Sequence, residues 1–155
     1  KGLALQELNE HQEALDAFSK ATTLSGNVHE AWNYKGYVFE EIGKQQEALD
    51  AYDKAIQIKP DFVIAFNNKG LVQDAMGNHL EAIETYNKAL TIKPDLDIAW
   101  FNKACAEALL SNKEGALSSL KKAIELNQSF KRIARTNPDF LKIKDDPDFI
   151  NVVGN

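Results

Sequence analysis

Three histidines, His11, His29 and His79, and one cysteine, Cys105, are the side chains of this sequence best suited to hold a metal or act as a nucleophile. A metal site needs several such groups converging on one point, commonly two His or Cys three or four positions apart on one helix face. None of the four has another His or Cys at that spacing. His11 and His79 are 68 residues apart, twice the period described below, so they fall at equivalent places two repeats apart. Each stacked repeat adds about 10 Å, so these two cannot share an ion. His29 falls at a repeat junction, and the lone Cys105 reads as a small buried hydrophobe. Glycine-rich phosphate loops, nucleophile elbows and dinucleotide fingerprints do not occur. The expectation is a protein without catalytic residues, metal or cofactor.

The spacing that does recur belongs to scaffolding. The sequence repeats every 34 residues, giving a truncated segment 1–28, full segments 29–62, 63–96 and 97–130, and a remainder 131–155. Trp32, Phe66 and Trp100 share one column, and Gly2, Gly36, Gly70 and Ala104 another. Ala48, Ala82 and Ala116 align, as do Ala55, Ala89 and Ala123, with Tyr52, Tyr86 and Leu120 between them. Within each repeat, apolar residues follow helical spacing in two blocks of about 13 residues. In the second repeat this predicts helices over Glu30–Ile42 and Gln45–Ile58, a turn at Gly43-Lys44, and a stop at Pro60. Gly36 inside a helix costs on the order of 1 kcal/mol relative to Ala, which points to close approach of the second helix. Two pieces of the remainder, Asn137-Pro138-Asp139-Phe140 and Asp146-Pro147-Asp148-Phe149, each read as an N-cap followed by proline in the first turn. Short helices are expected near 130–136, 138–143 and 147–153, with Phe130, Ile133, Phe140, Leu141, Phe149 and Ile150 covering the last repeat.

These columns resemble the tetratricopeptide repeat family over residues 1–130, most clearly at Trp32, Gly36, Ala48, Tyr52, Ala55 and Pro60. The resemblance implies an all-α fold, a right-handed α-solenoid of stacked helix-turn-helix repeats with a C-terminal helical cap, forming a single domain over 1–155. The chain departs from the family pattern at Gln73 and Glu107, where a bulky residue is usual, and at Lys1, Lys35, Lys69 and Lys103, where leucine is usual. Lysine stems are expected to cover the apolar seam while their ammonium groups reach water. Gly26 and Gln128 replace the closing proline, so the first and fourth repeats are expected to end more loosely.

Solenoids bind partners on extended concave surfaces. The first-helix face opposite the aromatic and small columns carries Asn33, Tyr34, Tyr37 and Glu41, then Asn67, Asn68 and Leu71, then Ile98, Phe101, Asn102 and Cys105. Glu30, Glu40 and Asp74 add acid toward its N-terminal end, Ile64 adds an apolar residue, and Leu3 and Glu7 extend it into the first segment. No lysine or arginine lies on it. Its asparagines have side chains suited to bonding a ligand backbone. The family's clamp for a terminal carboxylate agrees only at Asn68 when its pattern is started at the second repeat, so an acidic chain end is not the expected ligand. The expected partner is a protein or peptide segment with basic and apolar residues. Two alternatives are a self-assembling scaffold, as a weak homo-oligomer, and the targeting arm of a larger enzyme whose catalytic part lies upstream.

Composition agrees with this reading. The 155 residues suit one domain. Their 18 basic and 23 acidic residues leave a net charge of −5, which disfavours nucleic acid. The longest run without a charged side chain is nine residues, Ala21 to His29, so no membrane span is expected. A single cysteine fits a reducing, cytoplasmic setting. No secretory signal is visible, and the start at Lys1 suggests a piece of something longer.

Overall fold

The computed structural model describes residues 2–23 and 28–154, with side chains described from Glu10 onward. Among these the structure is helical throughout: α1 (Gly2–Ala21), α2 (Val28–Glu41), α3 (Gln45–Ile58), α4 (Val63–Ala75), α5 (His79–Ile92), α6 (Asp97–Leu109), α7 (Lys113–Leu126), α8 (Phe130–Thr136), a 3-10 turn (Pro138–Phe140) and α9 (Pro147–Val153). Helix pairs stack as repeats, followed by a distinct C-terminal helical segment. No helix among the described residues is long and apolar enough to cross a membrane. The contacts divide the chain into two compact units, residues 1–72 and 73–155, with the boundary inside α4.

In the first unit α2 packs against α1 and α3. Ala48 and Tyr52 of α3 are buried with Val72 of α4, and Phe39 and Leu49 pack around them. Gly36 is where the sequence demanded smallness, and the reason is a ring. A Cβ at Gly36 would sit 2.6 Å from Cε1 of Tyr52. The neighbour is therefore the bulky residue between the two alanine columns rather than the alanines themselves. In α3, Ile58 is the last helical residue before Lys59 and Pro60, as the proline requires.

The turns between paired helices repeat one backbone device. Gly43 and Gly77 have φ of +75° and +82°, and Ser111, at the same place in the next repeat, has φ of +62°. Glycine adopts this left-handed region without a Cβ penalty, whereas serine does not. The equivalent residue of the first segment is Asn9, where α1 runs unbroken instead of turning. Residues 2–8 make only about two helical turns, a short surface to repay folding back. Gly26, Lys1 and the side chains of Leu3 and Glu7 lie outside the described residues.

In the second unit α6 packs between α5 and α7. Tyr86 and Ala82 bury against Ala106, and the indole N–H of Trp100 donates to the carbonyl of Pro94 at 2.9 Å. Both proline pieces after residue 136 behave as capped starts. Asn137 accepts from the amide of Asp139 at 2.8 Å, and Asp146 accepts from the amide of Asp148 at 2.9 Å. Phe130, Phe140 and Phe149 enter the core as expected, together with Ala134, Ile143 and Val153. Ile133, Leu141 and Ile150 do not; they remain exposed, because each lies on the outer side of its short element. The fourth repeat closes without proline through Asn127, whose Nδ2 donates to Asp97 at 2.8 Å while its Oδ1 accepts from the amide of Ser129. The expected looseness at that end is replaced by side-chain bonds.

Candidate binding face

The first-helix faces of α2 and α4 meet within the first unit. Asn68 of α4 donates from Nδ2 to Oδ1 of Asn33 on α2 at 3.1 Å, which fixes the two helices side by side. Asn33 and Asn67 are buried, so these asparagines form the floor of the face rather than a projecting ladder. Around that floor Tyr34 is 53% exposed and Tyr37 51%, with Ile64 and Leu71 exposed on α4. Tyr34 is braced from behind, its ring stacked on Phe18 at 5.3 Å. Exposed aromatic and aliphatic side chains on rigid helices are the usual anchors of protein recognition, since they lose little entropy on contact.

Carboxylates border these rings. Glu41 is exposed at the end of α2, and Glu30 lies in its first turn. Glu40 accepts from the Tyr52 hydroxyl at 3.1 Å. Burial raises the Glu40 carboxyl above its ordinary value, and the neighbouring Glu41 adds to the rise against the opposing bond from Tyr52. The Tyr52 hydroxyl is pushed up in turn, first by burial and then by Glu40. A cation brought to this edge would relieve the carboxylate repulsion.

The column of lysines turns away from this face. Lys35 lies over the rings of Trp32 and Phe39, at 4.9 and 5.8 Å from their centroids. Lys103 lies over Trp100 at 5.2 Å and 3.9 Å from Glu107, while Lys69 pairs with Asp53 at 2.6 Å. Their stems cover the seam, but the ammonium groups rest on rings and carboxylates instead of ending in bulk water.

In the second unit Ile98 is exposed and Asn102 buried. Phe101 and Cys105, expected on the binding face, are 5% and 6% exposed and belong to the core. The reason is the C-terminal segment. Phe101 stacks on Phe130 at 4.5 Å and meets Phe140 edge-on at 6.0 Å. Asn137 donates from Nδ2 to Sγ of Cys105 at 3.4 Å. Burial, reinforced by Asp139, drives the Cys105 thiol far above the ordinary thiol range, which favours its protonated form.

Two departures from the repeat pattern find their partners across the helix pair. Thr85 donates to Gln73 at 2.7 Å, and Ser119 donates to Glu107 at 2.6 Å, both buried. The second repeat has Phe39 and Ala51 in these places. The sequence held a signal for this pairing, since polar residues enter both columns together, twelve residues apart. His79 is likewise absorbed structurally, its Nδ1 lying 2.7 Å from Asp74, and the His29 ring meets Phe62 edge-on at 4.8 Å. Among the described residues no group of three or more His, Cys, Asp or Glu could hold a metal ion.

Models described as tetratricopeptide repeat match residues 29–62 and 63–96, and a second of the same description matches 1–28 and 98–130. The chain belongs to the tetratricopeptide repeat family. Its described residues carry the stacked helix-pair fold of that family. Among solved structures, a crystal structure of MamA is 28% identical with a TM-score of 0.71, covering 84% of this chain and 77% of that one. MamA residues 41 to the end from Desulfovibrio magneticus RS-1 are 18% identical with a TM-score of 0.73, covering 97% and 85%. The first TPR of Spaghetti (RPAP3), bound to the HSP90 peptide SRMEEVD, is 19% identical with a TM-score of 0.64, covering 75% and 86%. No curated protein matches the chain.

Proposed function

We propose that this repeat protein binds a protein or peptide segment carrying basic and apolar residues on the first-helix face of α2 and α4. The observation that carries the reading is the exposed set Tyr34, Tyr37, Ile64 and Leu71, bordered by Glu30 and Glu41, on helices tied by the Asn33–Asn68 bond. The tetratricopeptide fold of the Spaghetti domain holds a peptide, which supports a helix-pair face as the place for a segment. That peptide carries an acidic Glu-Glu-Val-Asp end, whereas the face here is itself acidic. The ligand favoured by this charge places lysine or arginine against Glu41 and Glu30, and apolar side chains against the tyrosines and Leu71. Titration of fluorescent peptides differing only in charge tests the reading. Basic, apolar peptides bind tightest, and Tyr37→Ala with Glu41→Gln weakens them at least about tenfold while the protein stays folded. Tighter binding of acidic peptides, or unchanged affinity in the double variant, overturns it.

A further inference from the structure

The exposed chemistry of two parts of the chain is complementary. Helix α2 carries Glu30, Glu40 and Glu41 against one lysine, Lys35, which is turned onto the Trp32 and Phe39 rings. Residues 131–155 carry five Lys and Arg and four Asp, of which Asp139 is half-buried and bonded to Cys105 while Asp146 and Asp148 pair with Lys113. On this C-terminal segment Arg132 and Lys144 are exposed, as are Ile133 and, at 63%, Leu141. It therefore displays the basic and apolar pair of features that the α2 and α4 face calls for.

We infer that the occupant of that face is the C-terminal cap, residues 131–155, of a second copy of this chain. The inference rests on the reading of α2 and α4 as a site for basic, apolar segments, and it names the partner. Arg132 and Lys144 meet Glu30 and Glu41, while Ile133 and Leu141 meet the rings of Tyr34 and Tyr37. The surfaces that join are different ones, so the contact is heterologous. Such contacts close into a ring or run on as an open chain, and in either case each copy joins through its face to one neighbour's cap. Its charged part weakens with salt.

Sedimentation velocity of the whole chain across a wide range of concentration tests this. The expected result is a mass that rises with concentration and falls back at high salt. Two variants separate the surfaces: Tyr37→Ala with Glu41→Gln removes the face, and Arg132→Gln with Leu141→Ser removes the cap. All four positions are exposed, and circular dichroism checks that both variants keep their helices. Each variant alone associates at least about tenfold more weakly. Mixed in equal amounts they form a one-to-one dimer and nothing larger, because one working face and one working cap remain. A wild-type chain that sediments as a monomer at every concentration, or a mixture that fails to pair, overturns the inference. If that monomer still binds basic, apolar peptides through Tyr37 and Glu41, the binding face stands and only the choice of a second copy falls. If peptide binding is lost as well, both fall.

Discussion

The second and fourth repeats share a 34-residue frame and differ in what lies over their first helices. On α2, Tyr34 and Tyr37 stand in solvent. On α6 the same columns hold Asn102 and Cys105, both buried, and Phe130, Asn137 and Phe140 of the C-terminal segment close over Phe101 and Cys105. Inside the helix pairs the contrast runs the other way. The second repeat sets apolar Phe39 in the column where the fourth buries Glu107 against Ser119. Position in a repeat thus fixes which way a residue points, and the neighbouring segment decides whether that direction leads to water or to core.

The largest effect that would break this comparison is removal of the cap's anchor. Phe140 is fully buried between Phe101 and Phe149, so Phe140→Ala costs about 3–5 kcal/mol in chemical denaturation. A cost near zero would mean that the cap does not hold the fourth repeat. Next in size is Gly36→Ala. The added methyl meets the Tyr52 ring at 2.6 Å, and such overpacking costs about 1–3 kcal/mol. Ala104 stands at the same column in the fourth repeat, opposite Leu120, so the methyl is already accommodated there. An exchange of residues between these two positions therefore destabilises both repeats, and a neutral Gly36→Ala would remove the close approach from the account.

The smallest effect concerns pH. Burial raises the Glu107 carboxyl above its ordinary 4.5, against the bond from Ser119 and the charge of Lys103. The folded chain therefore holds that proton more tightly than the unfolded one. The associated stability is complete below the ordinary value and is lost as pH rises through the raised one. Glu107→Gln removes this dependence, so the variant's stability relative to wild type rises from pH 4 toward neutrality, measured as a difference in denaturation midpoints. Asp146 supplies the opposite sign. Its bond from Lys113 holds its carboxyl below 3.8, and the stability it adds is lost only as pH falls through that lowered value. A flat difference curve for Glu107→Gln would show that the buried carboxylate is not taxed by its surroundings.

Much of this molecule can be read from spacing alone. Local rules set the helix pairs, the stop at Pro60, the capped starts at Asn137 and Asp146 and the need for a small residue at Gly36, because each depends on residues a few positions apart. The exposure of the candidate face was legible only in part. Tyr34, Tyr37, Glu41 and Leu71 keep the exposure that their column suggested, whereas Asn33 and Asn67 turned out to be floor. Apolar Phe101 and Cys105 fit a groove and a core equally well, and nothing within their own repeat distinguishes the two.

Amino-acid order by itself therefore settled the repeat, the helix pairs of the full repeats and the column of each side chain, since a 34-residue period returns each column to the same place on its helix. Three things waited for the tertiary structure: the sealing of α6 by the cap, the pairing of Gln73 with Thr85 and Glu107 with Ser119, and the unbroken course of α1 through Asn9. Each turns on contacts between separate elements, where burial free energy is shared by both partners and neither one's local sequence reveals it.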